Sequence, residues 1–123
     1  MRPASFIGRV IHGDEIGKSL GFPTANLDTS RELIQLGEGI YAAYATVQGQ
    51  KYRAAISIMG KPWKVEVYLF DFDGHDMYGE ELAVEVLDFI SPMQRFSSED
   101  MLKEKIQADI GKILFYFENK NSS

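Results

Sequence analysis

The sequence predicts a mainly β domain, a small antiparallel barrel with one C-terminal α-helix packed outside it. Three observations lead there. The chain alternates in the manner of strands for about three-quarters of its length. Glycine-bearing turns separate the apolar runs. After Pro92 the apolar spacing changes to that of a helix. A length of 123 residues is that of one ordinary domain, read as a single unit over 1–123 with a core over 5–118.

Taken in order, Ser5 to Ile11 is a short apolar-rich strand. Gly39 to Val47 and Tyr52 to Met59 are two more, joined by the hairpin-type turn Gln48-Gly49-Gln50. Val65 to Phe72 is a fourth, dense in β-branched and aromatic residues. Asp73-Gly74 marks a turn, and Leu82 to Ile90 is a fifth strand. The final helix takes Ser97 as its cap, with Glu99 and Asp100 well placed in its first turn. Leu102, Ile106, Ile110, Ile113, Leu114 and Phe117 form one apolar stripe along it. The polar residues 119–123 are expected to be disordered. The stretch from Gly13 to Glu38 fits neither period. Loops of that length in a compact domain are commonly functional, and Ile16, Leu20, Phe22 and Leu27 make it too apolar for plain disorder.

Composition bounds the function. Hydrophobic residues make up 45% and charged residues 25%, ordinary for a soluble globular protein. Cysteine is absent, which excludes disulfide frameworks, thiolate nucleophiles and cysteine-held zinc. Thirteen basic against 18 acidic residues leave a net charge of −5. That argues against a nucleic-acid or anionic-membrane binder, because counterion release needs clustered Lys and Arg. No apolar run reaches the length of a membrane span, and Met1 to Ser5 lacks a signal-peptide core. The expectation is a cytoplasmic, acidic, single-domain protein, monomeric because no coiled-coil pattern is present.

Several motifs match in letters and fail in mechanism. Gly13-Asp14-Glu15-Ile16-Gly17-Lys18-Ser19 is one residue short of a P-loop, and Gly21 and Pro23 forbid the helix that a P-loop must open. Gly37-Glu38-Gly39-Ile40-Tyr41-Ala42 has dinucleotide-fingerprint spacing, yet its glycines precede a strand rather than follow one. Asp71, Asp73 and Asp76 lack the glycine and twelfth-position glutamate of a calcium loop. The only histidines, His12 and His75, have no triad partners near them in sequence.

Gly21-Phe22-Pro23-Thr24-Ala25-Asn26-Leu27 is different. Pro23 stiffens the backbone and holds Phe22 extended. Thr24 and Asn26, two apart in an extended chain, project to the same side. A hydroxyl and an amide carbonyl are hard oxygen ligands suited to Mg²⁺; equally, they can satisfy backbone groups of a turn. In Val65 to Phe70, one face carries Val65, Val67 and Leu69 and the other Glu66, Tyr68 and Phe70. A glutamate in so apolar a strand needs partners, and burial makes a carboxylate a better base toward an alcohol. The same glutamate on a barrel exterior can simply face solvent.

Gly21-Phe22-Pro23-Thr24-Ala25-Asn26 resembles the signature of the ATP-dependent riboflavin kinases, the domain that also ends bifunctional bacterial FAD synthetases. The wider order agrees: His12-Gly13-Asp14 before the signature, Gly39-Ile40-Tyr41 opening a strand, Val65 to Phe72 ahead of Met77-Tyr78-Gly79, and Phe96-Ser97 before the last helix. The resemblance covers Phe6 to Asp109. It implies a closed antiparallel six-stranded barrel with the helix outside, and transfer of the γ-phosphoryl of ATP to the ribityl 5′-hydroxyl of riboflavin, giving FMN. Carried over by position, Thr24 and Asn26 hold Mg²⁺ and the nucleotide phosphates, and Glu66 is the catalytic carboxylate. Gly13 and Lys18 belong to the ATP flap, with Leu69, Asp71 and Tyr78 near the nucleotide. Met1-Arg2-Pro3 resembles the junction that follows an FMN adenylyltransferase domain, so excision from a longer protein is an expectation too.

The chain departs from the family on the flavin side. Lys61-Pro62-Trp63-Lys64 leads almost directly into the catalytic strand where relatives have a longer loop, and Ser91 stands where they commonly have an arginine of the flavin pocket. Ser91, Arg95 and Phe96 are the flavin-side candidates, with Arg95 a substitute for that arginine. Trp63 offers either a stacking surface or loop-edge packing. These departures raise two alternatives, a non-catalytic flavin- or nucleotide-binding module and, more distantly, a barrel used only for protein contacts.

Overall fold

The computed structural model describes residues 5–11, 24–72, 77–95 and 97–121. Six strands are present: β1 (Ser5–Ile11), β2 (Ala25–Asp28), β3 (Gly39–Val47), β4 (Gln50–Gly60), β5 (Trp63–Leu69) and β6 (Glu81–Ser91). A one-turn helix, α1 (Arg31–Ile34), follows β2, and α2 (Glu99–Asn121) closes the chain. The strands form a closed barrel in the order β1-β2-β5-β4-β3-β6, every pair antiparallel. Closure leaves no unpaired sheet edge.

Alternation fills the interior. Phe6 and Val10 of β1, Leu27 of β2, Ile56 and Ile58 of β4, Val65 and Val67 of β5, and Leu82, Val84 and Val86 of β6 all point inward. The hairpin between β3 and β4 turns on Gln48 and Gly49 at φ 52° and 78°, the doubly left-handed turn that matches strand twist. A second core lies outside the barrel, under α2. Ala42 there is fully buried, and with Ala55 it makes a floor low enough to seat Ile113 and Phe117, both also fully buried. Tyr44, Tyr68 and Phe70 wall this seat, with the Tyr44 and Phe117 rings 5.5 Å apart.

Three expectations are corrected. The segment between Gly13 and Glu38 is not all loop, because Ala25–Asp28 is a strand and Arg31–Ile34 a helical turn. Four residues are too few to display a period, so only pairing to β1 and β5 reveals β2. The cap of α2 is Ser98 rather than Ser97: its Oγ accepts from Met101 N at 3.2 Å, the N3 position that a cap side chain reaches. Residues 119–121 are helical, not disordered, since polarity without Gly or Pro does not stop a helix. Asn119 Nδ2 also donates to Phe115 O at 2.8 Å, and Lys120 favours the negative helix end. Among the described residues no helix is long and apolar enough to cross a membrane.

Candidate active site

The site is a row of residues across the outer face of the barrel. Asn26 of β2 is directly opposite Glu66 of β5, and Glu66 is opposite Ser57 of β4. Directly opposed residues share a face, so the inward packing of Val65 and Val67 forces Glu66 outward. Outward is not into bulk water here. The Glu66 side chain is only 16% exposed, and Asn26 is buried.

Thr24, just before β2, lies diagonal to Glu66. Its Oγ1 donates to Glu66 Oε2 at 2.7 Å, and Lys64 Nζ is 3.9 Å from Oε1. Both carboxylate oxygens are therefore oriented, one by a neutral donor and one by a charge. Because the Thr24 proton is committed to Glu66, the lone pairs of that hydroxyl are left for an electrophile. With the Asn26 amide two residues on, the pattern inferred from spacing is realised as a contiguous group.

The remaining candidates divide. Leu69 packs its side chain into the barrel core, so it can offer a nucleotide only backbone. Asp71 is at a left-handed φ of 61° and pairs with Arg53 Nη2 at 3.2 Å. Tyr78 is exposed. Ser91 is buried, its Oγ taking a hydrogen bond from Lys105 Nζ at 2.6 Å. Arg95 directs its guanidinium to Lys61 O at 2.7 Å. Trp63 packs at the loop edge: its Nε1 donates to Thr29 O at 2.7 Å and the Arg31 guanidinium sits 5.2 Å from its ring centre. Gly13, Lys18 and Phe96, with His12 and His75, lie outside the described residues.

Sequence reasoning missed the groups that pin the β4–β5 turn. Arg31 Nη2 donates to Gly60 O at 2.6 Å, and Glu38 Oε1 accepts from Gly60 N at the same distance. With Arg95, three separate segments hold the turn that delivers Lys64 and Glu66. No periodic signal marks such contacts. Lys64 was legible, being two residues before Glu66 on one strand face.

A closed six-stranded antiparallel barrel with a helix packed outside carries, on its outer face, an oriented carboxylate beside a hydroxyl and an amide. A sequence profile of the flavokinase family, described as riboflavin kinase, matches residues 1–117. The chain belongs to that family. It is 34% identical over 127 residues to the bifunctional riboflavin kinase/FMN adenylyltransferase of Bacillus subtilis, covering 96% of this chain and 40% of the relative. It is 36% identical over 118 residues to the RNA-binding riboflavin kinase RibR of the same organism, covering 90% and 50%. The chain thus spans half or less of the length of these two relatives.

Among solved structures, riboflavin kinase from Trypanosoma brucei superposes with a TM-score of 0.73 at 26% identity, covering 96% of this chain and 79% of that one. A chain solved as a macrolide-efflux protein from Streptococcus pneumoniae superposes at 0.78 with 36% identity, covering 89% and 38%.

Proposed function

We propose that the chain is a riboflavin kinase, transferring the γ-phosphoryl of ATP to the ribityl 5′-hydroxyl of riboflavin to give FMN and ADP. In the reaction the ribityl oxygen bonds to the γ-phosphorus, the bond from that phosphorus to the β,γ-bridging oxygen breaks, and the hydroxyl proton passes to the Glu66 carboxylate. The observation that carries this reading is the 2.7 Å bond from Thr24 to Glu66 within the row Asn26–Glu66–Ser57. It sets a base and two hard neutral oxygens side by side, which is what phosphoryl transfer by positioning and electrostatics requires. A module that only bound flavin has no use for an oriented carboxylate there.

The donor chemistry fits Mg²⁺. Thr24 Oγ1 and Asn26 Oδ1 would hold it, with waters and phosphate oxygens completing its coordination. Such an ion, when bound, neutralises charge on the transferring phosphoryl. Glu66 orients the acceptor hydroxyl, and Lys64 and Thr24 keep its two oxygens from rotating away. Gly13 and Lys18 are assigned to steadying the triphosphate, and the Ser91–Arg95–Phe96 segment to the flavin side. The net charge of −5 and the small-molecule substrates fit a cytoplasmic enzyme that does not depend on nucleic acid.

The test incubates the purified chain with riboflavin, ATP and Mg²⁺ and resolves riboflavin, FMN and FAD chromatographically. FMN that appears only with all three components is the expected result. A folded chain that binds flavin and yields no FMN returns the reading to a binding module.

A further inference from the structure

The turn between β4 and β5 is short, and it leads directly into the strand that carries Glu66. Gly60 ends β4, Lys61 and Pro62 make the turn, and Trp63 and Lys64 open β5. Gly60 is held at both of its backbone polar groups. Its N–H donates to Glu38 Oε1 at 2.6 Å, and its carbonyl accepts from Arg31 Nη2 at the same distance. Each bond has one charged partner, which makes it stronger than a neutral one. Glu38 stands just before β3 and Arg31 on α1, so neither belongs to the hairpin that it grips. Arg31 also covers the Trp63 ring, its guanidinium 5.2 Å from the ring centre.

Glycine at position 60 is part of this arrangement. A Cβ there would lie 2.8 Å from Glu38 Oε1, closer than real Cβ atoms come to a neighbour. Its φ is not positive, so the Glu38 carboxylate, and no backbone strain, is what a side chain would meet.

The clamp bears on the site through Lys64. That residue is second in β5 and opposite Met59, and strand ends open before strand centres. Glu66 lies two residues further in, flanked by Asn26 on one side and Ser57 on the other. Loosening of the turn therefore reaches Lys64 first. Lys64 Nζ is 3.9 Å from Glu66 Oε1, whereas Thr24 holds Oε2 independently of the turn. With Lys64 displaced, the carboxylate keeps one tether and can swing about it.

We propose that Arg31 and Glu38 are positioning residues for phosphoryl transfer, holding the Gly60 turn so that Lys64 orients Glu66. The proposal rests on the riboflavin kinase reading, which makes Glu66 the group to be oriented.

The experiment measures FMN formation by the full chain and by its Glu38→Ala, Glu38→Gln, Gly60→Ala and Arg31→Met variants. Each is made in the wild-type and in a Lys64→Met background, with a melting curve for every protein. Glu38→Ala, Gly60→Ala and Arg31→Met are expected to lower kcat about tenfold, since a misplacement of about 1 Å can cost about 100-fold. The KM values should stay near those of the wild type, as for an interaction that matters in the transition state. Glu38→Gln keeps the acceptor oxygen and should retain most of the turnover. Gly60→Ala displaces the same carboxylate without changing any charge. Lys64→Met alone should lose at least as much turnover as the clamp variants do. In its background those variants should cost nothing further, because the contact that they serve is already gone.

A purely structural role would instead lower kcat by the same factor in both backgrounds, through the folded fraction, and that result overturns the proposal. Folded clamp variants with wild-type kcat overturn it as well, and both results leave the kinase reading intact. Should Arg31→Met fail to fold, the Glu38 and Gly60 variants decide. A wild-type chain that makes no FMN overturns the kinase reading and this one together.

Discussion

Glu66 shows how one residue's role depends on its neighbours. On an exposed strand face it would be a solvated charge; here Thr24 and Lys64 hold both its oxygens. Glu66→Gln removes the carboxylate proposed as proton acceptor while keeping shape, and should lower turnover at least about 100-fold with the fold intact. FMN formation under saturating substrates, with a melting curve as control, checks this. Thr24→Val deletes the hydroxyl at nearly constant volume. A hydrogen bond to a charged group contributes about 1.5–3 kcal/mol, so turnover should fall about tenfold or more, and Thr24→Ser should restore most of it. At this scale the sequence was informative about Thr24, Asn26 and Glu66, because spacing in an extended chain decides which side chains share a face. It was silent on Arg31, Glu38 and Lys105, whose partners Gly60 and Ser91 are remote in sequence.

At the scale of elements, α2 and β2 behave in opposite ways. The apolar stripe of α2 is long and periodic, and its deepest members, Ile113 and Phe117, are buried as the stripe requires. Phe117→Ala should destabilise the chain by about 3–5 kcal/mol in urea titration, since the Ala42–Ala55 floor leaves nothing able to fill the hole. A loss under about 1 kcal/mol would mean that α2 is not seated there. Strand β2 has no such signature. Its four residues become a strand because β1 and β5 flank it and close the barrel through it. The ends of α2 were read less well than its middle: capping turned on which of two adjacent serines reached Met101, a matter of geometry.

At the scale of the molecule, closure and the outer helix set the stability. Tyr41, inside the barrel, and Tyr116, on α2, have phenol groups raised above the ordinary value of 10.0. Burial is the cause for Tyr41. For Tyr116 burial comes first, followed by the nearby Asp88 and Tyr44. The folded chain therefore holds these protons more tightly than the unfolded one. Their contribution is complete below pH 10 and is lost as pH rises through the raised folded values. Denaturant midpoints measured from pH 9 upward should fall steeply beyond about pH 10, and Tyr41→Phe should make that fall shallower. The variant starts from a lower midpoint, having lost the hydrogen bond from Tyr41 Oη to Gly37 O. The described residues form one barrel and its helix, and the 123-residue chain is expected to make FMN from riboflavin and ATP; chromatography of the products checks this.

What the sequence determined by itself is what depends on local spacing: five of the six strands, the long helix, and the shared face of Thr24 and Asn26. A strand of period two and a helix of period 3.6 write themselves into the order of apolar residues. The tertiary structure decided what depends on the meeting of distant segments. It brought Thr24 to Glu66 across 42 positions, recruited β2 into the barrel, gave Arg95 to the Lys61 carbonyl, and placed Lys105 over Ser91. Such contacts have no period, because a closed barrel sets them through register and curvature rather than through order along the chain.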